Sequence, residues 1–298
     1  MPRAVFENAL AFLRRSGIPE ARFLGGEPTE HPSFGEYVEL ALARGFAVTV
    51  FTGGWMAASA LAGLRRIAPD RLTVVLNTAD PGTDSPVLLE AQHAVCRALG
   101  ACVELGLTFT TPAPHPDHLL AWIEEHGLRR RIRLGLAHPI WGGANRYLRP
   151  QAVRHLGAQL ETFAAAAGRA GVELDLDCGF TPCMFSARFL EKHPDLARNV
   201  GTRCNPIVDI LPEGDVIACY ALSRAGRRPL TEQSTHGEIG ARFEQDLARR
   251  LPTGAYRECA ACEYRARGLC GGGCRARQAL RLRPDSARLL AEESGTSA

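Results

Sequence analysis

The 298-residue chain balances 35 lysines and arginines against 32 aspartates and glutamates, a net charge of +3, which argues for neither nucleic acid nor an acidic partner. No run approaches the 18 apolar residues of a membrane span, and the N-terminus lacks the basic, apolar, small-residue progression of a secretion signal, so a cytoplasmic protein is expected. Ten cysteines in such a chain favour metal ligation over disulfides, and the length suits one large domain plus a small one.

Residues 2–17 carry Phe6, Leu10 and Leu13 at helical spacing and stop at Gly17. An apolar run over 21–25 leads into Gly25-Gly26. Residues 33–44 set Phe34, Val38 and Leu42 on one helical face, and the β-branched run 47–52 is bounded by Gly53-Gly54. Helices near 57–68, 86–99 and 117–126 precede strands over 72–76, 102–110 and 132–137. The arginine-rich stretch 129–133 reads as a solvated helix end leading into a strand. A longer helix, 151–170, has Val153, Leu156, Leu160 and Phe163 on one side, and a last strand spans 172–176.

Such alternation with short loops predicts an α/β fold, a parallel sheet with helical crossovers, either open or a partial barrel. In both, chemistry sits at the C-terminal ends of the strands. Those ends carry Gly25-Gly26-Glu27-Pro28, Thr52-Gly53-Gly54, Asn77-Thr78, Thr110-Thr111 and His138-Pro139. Residues 1–177 form the barrel, 178–203 a transition, 204–285 a cysteine-rich module, and 286–298 a frayed tail.

The module holds Cys204, Gly214 and Cys219, then Cys259-x2-Cys262-x7-Cys270-x3-Cys274, with Gly271, Gly272 and Gly273 filling the last gap. A [4Fe–4S] cube needs four converging thiolates. Glycines let backbone N–H groups approach the sulfides. Zinc ligation, disulfides and buried free thiols are the competing readings. Cys96, on a helix pattern, and Cys102, opening a strand, read as buried structural thiols. His31, His115, His118 and His138 fall near strand ends. The stretch His115-Pro116-Asp117-His118 reads as a solvated loop with a helix cap from Asp117.

The segment Phe23-Leu24-Gly25-Gly26-Glu27-Pro28-Thr29-Glu30-His31-Pro32 resembles the motif that contacts the methionine amino group of S-adenosylmethionine (SAM) in radical SAM enzymes. The cysteine array resembles the SPASM module, which holds auxiliary iron–sulfur clusters in family members that modify peptides and proteins. The resemblance spans about residues 2–280. It implies a partial (β/α)6 barrel followed by a small iron–sulfur domain. It also implies a 5′-deoxyadenosyl radical that abstracts hydrogen from a peptide or protein, SAM and [4Fe–4S] clusters as cofactors, and an external electron donor. SAM contacts would be Gly25, Gly26, Glu27 and Pro28, with the Glu27 carboxylate accepting from the ammonium and Asn77 meeting the ribose or carboxylate. One cluster would take Cys204, Cys219 and Cys274 with Cys183. A second would take Cys259, Cys262 and Cys270, with Cys178 as candidate fourth ligand. A single-cluster variant is the alternative. Tyr220 and Asp209 are candidates for a general base, and no catalytic residue is assigned.

Two departures stand out. The gap from Cys262 to Cys270 is seven residues where the module usually has five, and no cysteine follows Cys274. The family's Cys-x3-Cys-x2-Cys motif is nowhere in the sequence. Either a segment with that motif and a first strand lies upstream, or the chain is a non-catalytic iron–sulfur homologue that binds a peptide or carries electrons. The enzyme reading, an oxidoreductase or maturase, holds if the motif lies upstream.

Overall fold

Phe6, Ala9 and Leu10 lie one helical turn apart, so α1 (Arg3–Arg15) buries them. In the computed structural model, which describes residues 1–78, 85–111, 116–200, 204, 206–251 and 254–282, this helix opens a βα series. There follow β1 (Glu20–Phe23), α2 (Phe34–Ala43), β2 (Ala47–Thr52), α3 (Ala58–Leu64), β3 (Leu72–Asn77), α4 (Pro86–Leu99), β4 (Val103–Phe109), α5 (Asp117–His126), β5 (Arg131–Leu136), α6 (Pro150–Arg169) and β6 (Glu173–Leu176). The six strands form one parallel sheet in sequential order, with β1 and β6 at its edges. Each step is a right-sized helical crossover, as parallel pairing demands. The fold is α/β, as the periodicity requires.

Alternation along the strands divides the sheet into two chemically different faces. Val103, Leu105, Leu107 and Phe109 of β4 join Leu119, Ile123, Leu156 and Leu160 of the helices in one apolar core. The opposite face is polar. There Arg131 pairs with Asp175 at 2.9 Å and Arg133 with Asp177 at 2.6 Å. The Arg133 guanidinium also lies 4.9 Å above the Phe51 ring. Glu104, 6% exposed, shares that face, and burial raises its carboxyl pKa despite the opposing pull of Arg131.

The stretch 129–133 is therefore no solvated helix end. Helix α5 stops at Gly127, left-handed at φ 60°, which glycine adopts without a Cβ clash. Arg129 then laces the strand starts together, donating to the carbonyls of Ala101, Pro69 and Leu72 and to the Thr73 hydroxyl. Arg131 and Arg133 are strand residues of the polar face.

Beyond β6 come a 3₁₀ turn (Pro182–Met184), α7 (Ala187–Lys192) and α8 (Pro194–Asn199). Gly157 of α6 packs its bare Cα against the Met184 carbonyl of that turn. A three-stranded antiparallel sheet follows, β7 (Asp209–Ile210), β8 (Asp215–Ile217) and β9 (Arg227–Pro229). Helix α9 (His236–Arg250) opens with a capping box between Thr235 and Glu238. The short helices α10 (Glu263–Ala266) and α11 (Arg275–Ala279) close the described chain. Val216, Ile239, Phe243, Leu247, Cys274 and Ala276 form a second core, which Phe12 of α1 enters from the barrel side. Among the described residues no helix is long and apolar enough to cross a membrane. The anticipated tail, 286–298, and His115 lie outside the described residues.

Candidate cofactor rim and paired cysteine sets

The C-terminal ends of β1, β2 and β3 are joined by side chains rather than left as loose loops. Glu27 Oε1 accepts from the Thr29 N–H at 3.2 Å and its hydroxyl at 2.6 Å; Oε2 accepts from the Thr52 hydroxyl at 2.7 Å and the Gly53 N–H at 3.2 Å. Thr29 and Thr52 are 5% and 1% exposed, so these charge-assisted bonds are shielded from water. Both carboxylate oxygens are thus engaged internally.

Gly25 and Gly26 leave open space: a Cβ on either, or on Gly53, would meet nothing within 4 Å. Gly25 has φ 146°, a conformation side chains rarely adopt. Pro28 starts the 3₁₀ turn Pro28–Glu30 and fixes its φ. Leu24 and Trp55, both about half exposed, flank the glycines in sequence. Asn77 is exposed at the end of β3. The residue missed in the sequence is Gln92. Fully buried on α4, it donates from Nε2 to the Gly53 carbonyl at 2.8 Å and the Asn77 carbonyl at 3.0 Å. Its position in a helix 15 residues from the nearer partner carries no motif by which to find it. The rim thus offers an open glycine backbone beside fixed polar groups.

All ten cysteines are free thiols. Cys96 and Cys102 are buried, as expected; burial raises the Cys96 pKa to about 12. The other eight gather as two sets of four. Cys178, Cys204, Cys219 and Cys274 lie close enough that each of the first three feels Cys274, and Cys178 feels all three others. Cys183, Cys259, Cys262 and Cys270 line one pocket with Thr181, Tyr256 and Tyr264. Cys178 and Cys183 are exchanged relative to the expectation from sequence, and the reason is local. Cys178 follows β6 by two residues and stays at the barrel rim beside His138, whose Nε2 is 3.1 Å from its carbonyl oxygen and 3.5 Å from its Sγ. The 3₁₀ turn then swings Cys183 toward Tyr256 and Cys270, with Sγ 3.2 Å from the Thr181 hydroxyl.

Burial makes the thiols of the first set resist ionisation. Burial first, then the neighbouring thiolates and Asp177, push Cys178 up; burial and Cys274 push Cys219 up to about 12. Cys178 keeps one side in solvent, yet its sulfur is enclosed enough for burial to dominate. Donors offset this. Backbone N–H groups of Ala276 and Arg277 point at Cys274, that of Arg275 at Cys204, that of Leu222 at Cys219, and those of Gly272 and Gly273 at Cys270. Gly272 and Gly273, at φ 88° and 81°, need the left-handed region to turn this loop, and the Gly272 N–H lies 3.3 Å from Cys270 Sγ. These N–H···S contacts are what an anionic sulfur site requires.

Among the described residues, the one trio of ligating atoms all within 4.8 Å of one another is His93, Glu125 and His126 on the outer helices. Among the described residues no three cysteine sulfurs all lie within 4.8 Å of one another; each set offers four thiols, the ligand count of a cubane cluster. Of the base candidates, Asp209 is raised by burial and accepts the Tyr220 N–H, while Tyr220 is 67% exposed.

No protein-family model matches the sequence, and no curated protein matches it. Solved structures do share the fold. A structure of anSMEcpe with bound AdoMet aligns over 93% of this chain and 81% of its own, with TM-score 0.61 and 17% identity. Streptococcus suis SuiB bound to S-adenosylmethionine aligns over 94% and 68%, with TM-score 0.63 and 13% identity. SuiB bound to precursor peptide SuiA aligns over 95% and 67%, with TM-score 0.63 and 14% identity. The six-stranded sheet with its helices is the fold of these radical SAM neighbours.

Proposed function

We propose that the chain supplies the barrel and the auxiliary-cluster module of a radical SAM oxidoreductase that modifies a peptide or protein. In this reading Gly25, Gly26, Glu27, Pro28 and Asn77 form the S-adenosylmethionine rim. Two [4Fe–4S] clusters are held by Cys178, Cys204, Cys219 and Cys274, and by Cys183, Cys259, Cys262 and Cys270. The observation that carries it is the sorting of eight cysteines from separate chain segments into two complete sets of four. The neighbours' bound AdoMet and peptides support the choice of ligand and substrate class.

S-adenosylmethionine and a reduced iron–sulfur centre, when bound, supply the one-electron chemistry that removes a substrate hydrogen atom. The chain's own residues do the rest. The open backbone at Gly25 and Gly26 admits the amino-acid end of the ligand. Glu27 and Gln92 hold three strand ends in register, so the rim is formed before binding. The polar inner face, with Arg133 and Asp177 paired beneath, offers a wet, charged floor. His138, lowered to about pKa 4 by burial and by Arg277, sits beside Cys178.

The sequence has no Cys-x3-Cys-x2-Cys triplet, which favours a second reading of a different class: a non-catalytic iron–sulfur protein that binds a peptide or carries electrons. One experiment separates the readings. Iron, sulfide and zinc are measured after anaerobic reconstitution, and the reading frame upstream of Met1 is sequenced. About eight irons with matching sulfide are expected, and zinc without sulfide sinks both readings. A Cys-x3-Cys-x2-Cys triplet in frame upstream supports the enzyme; loaded clusters with no such triplet support the carrier.

A further inference from the structure

Arg277 is 2% exposed, the most buried charged side chain among the described residues. It sits on α11, three residues after Cys274. Its Nη1 donates to the Leu148 carbonyl and its Nη2 to the Ala137 carbonyl at 3.0 Å, while Nε has no partner among the described residues. Both acceptors are neutral and belong to the barrel. Among the described residues no carboxylate pairs with it. A guanidinium cannot shed its proton, and a buried charge without a counter-charge is costly. Its own backbone N–H points at the Cys274 sulfur. Its charge acts on Cys274, on His138 against Cys178, and on Tyr256, which lines the second set's pocket.

We propose that Arg277 is the built-in counter-charge of the cluster at Cys178, Cys204, Cys219 and Cys274, and that it holds that cluster's reduction potential above the value four thiolates alone would give. The inference rests on the two-cluster reading. Reduction adds one negative charge to a site that is already anionic. A fixed positive charge in the same low-dielectric space favours the reduced form. The two carbonyl anchors keep the guanidinium from turning away to solvent, so the effect persists through each electron transfer. Arg277 is in this sense a positioning residue.

The test uses the full chain loaded with iron and sulfide, in wild type, Arg277→Gln and Arg277→Lys, with EPR-monitored redox titration. Cys183→Ser, which leaves the first set intact, identifies its signal. Iron content should be equal in the wild type and both Arg277 variants. In Arg277→Gln the reduction equilibrium of the Cys178 cluster should fall at least tenfold, about 59 mV for a one-electron couple; in Arg277→Lys it should stay within threefold. Equal potentials in wild type and Arg277→Gln overturn the proposal, as does an equal fall in both variants, which would assign the effect to packing. Should Arg277→Gln fail to fold, Arg277→Met takes its place: a tenfold fall supports the proposal and an unmoved potential overturns it. An iron-free wild type overturns the two-cluster reading itself, whereas a loaded protein with unmoved potential removes only the role of Arg277.

Discussion

Cys178 and Cys183, five residues apart on the segment that leaves β6, belong to different cysteine sets. Each completes a group whose other three members come from the C-terminal third. The chain thereby makes up for the absence of any cysteine after Cys274.

This pairing predicts a pattern of iron loss. Cys178→Ser and Cys183→Ser should each lower iron by about half, from about eight toward four, given four irons per cubane. Cys178→Ser combined with Cys274→Ser should cost no more than either alone, because both strike one site. Cys178→Ser combined with Cys183→Ser should remove nearly all. Iron and sulfide assays check this, and the reverse additivity would restore the exchanged assignment.

Gly157 sets propensity against packing. Alanine is the better helix former by about 1 kcal/mol. Here its Cβ would collide with the Met184 carbonyl, a backbone atom held in a turn. Gly157→Ala should therefore destabilise the protein, by about 2–3 kcal/mol, as measured by the urea midpoint of the metal-free chain. A stabilised variant would show that the turn can withdraw.

Glu27 is bonded to four donors. Glu27→Gln converts one acceptor oxygen into a donor facing Thr52 and Gly53, or facing Thr29. A loss of about 2 kcal/mol follows from the unmatched donors. S-adenosylmethionine binding, followed by equilibrium dialysis, should weaken at least tenfold, because the rim glycines lose their anchor. Unchanged binding would mean that Gly25 and Gly26 hold their course without Glu27.

Cys96 gives a pH dependence of definite sign. Burial raises its folded pKa from 9.0 to about 12, so between these values the folded chain keeps a proton that the unfolded chain has lost. Its stabilisation is complete below pH 9 and is lost as pH rises toward about 12. Melting temperatures of wild type and Cys96→Ala should differ most near pH 8 and converge as pH climbs past 9. A gap that stays constant would show the thiol ionising as freely in the folded protein.

The barrel was legible because its signal is periodic over long stretches. The helix expected over 86–99 and the strand expected over 47–52 match α4 and β2, since Ser85-Pro86 caps one and Gly53-Gly54 stops the other. Within 204–282 the cysteine spacing conceals the architecture. Strands β7, β8 and β9 are two or three residues long, too short for alternation to register. Helix α9 was not among the expected elements, although Thr235 and Glu238 cap its start and Ile239, Phe243 and Leu247 recur at four-residue spacing. Ligand partnership was not readable. Spacing along the chain ranks neighbours in sequence, whereas the turn at Pro182–Met184 decides which way Cys183 faces. Arg277 and Gln92 left no trace either, because a single buried polar residue on a helix has no pattern.

In the proposed two-cluster reading, carrying both remaining ligands on the segment after β6 also bears on portability. Residues 204–282 expressed alone would present two three-cysteine sites, each with an open corner, and α11 would lose the carbonyls of Ala137 and Leu148 that anchor Arg277. The C-terminal third is not a cassette that could be moved to another barrel intact. It would have to travel with the end of β6, and in evolution the two parts would be expected to be inherited together.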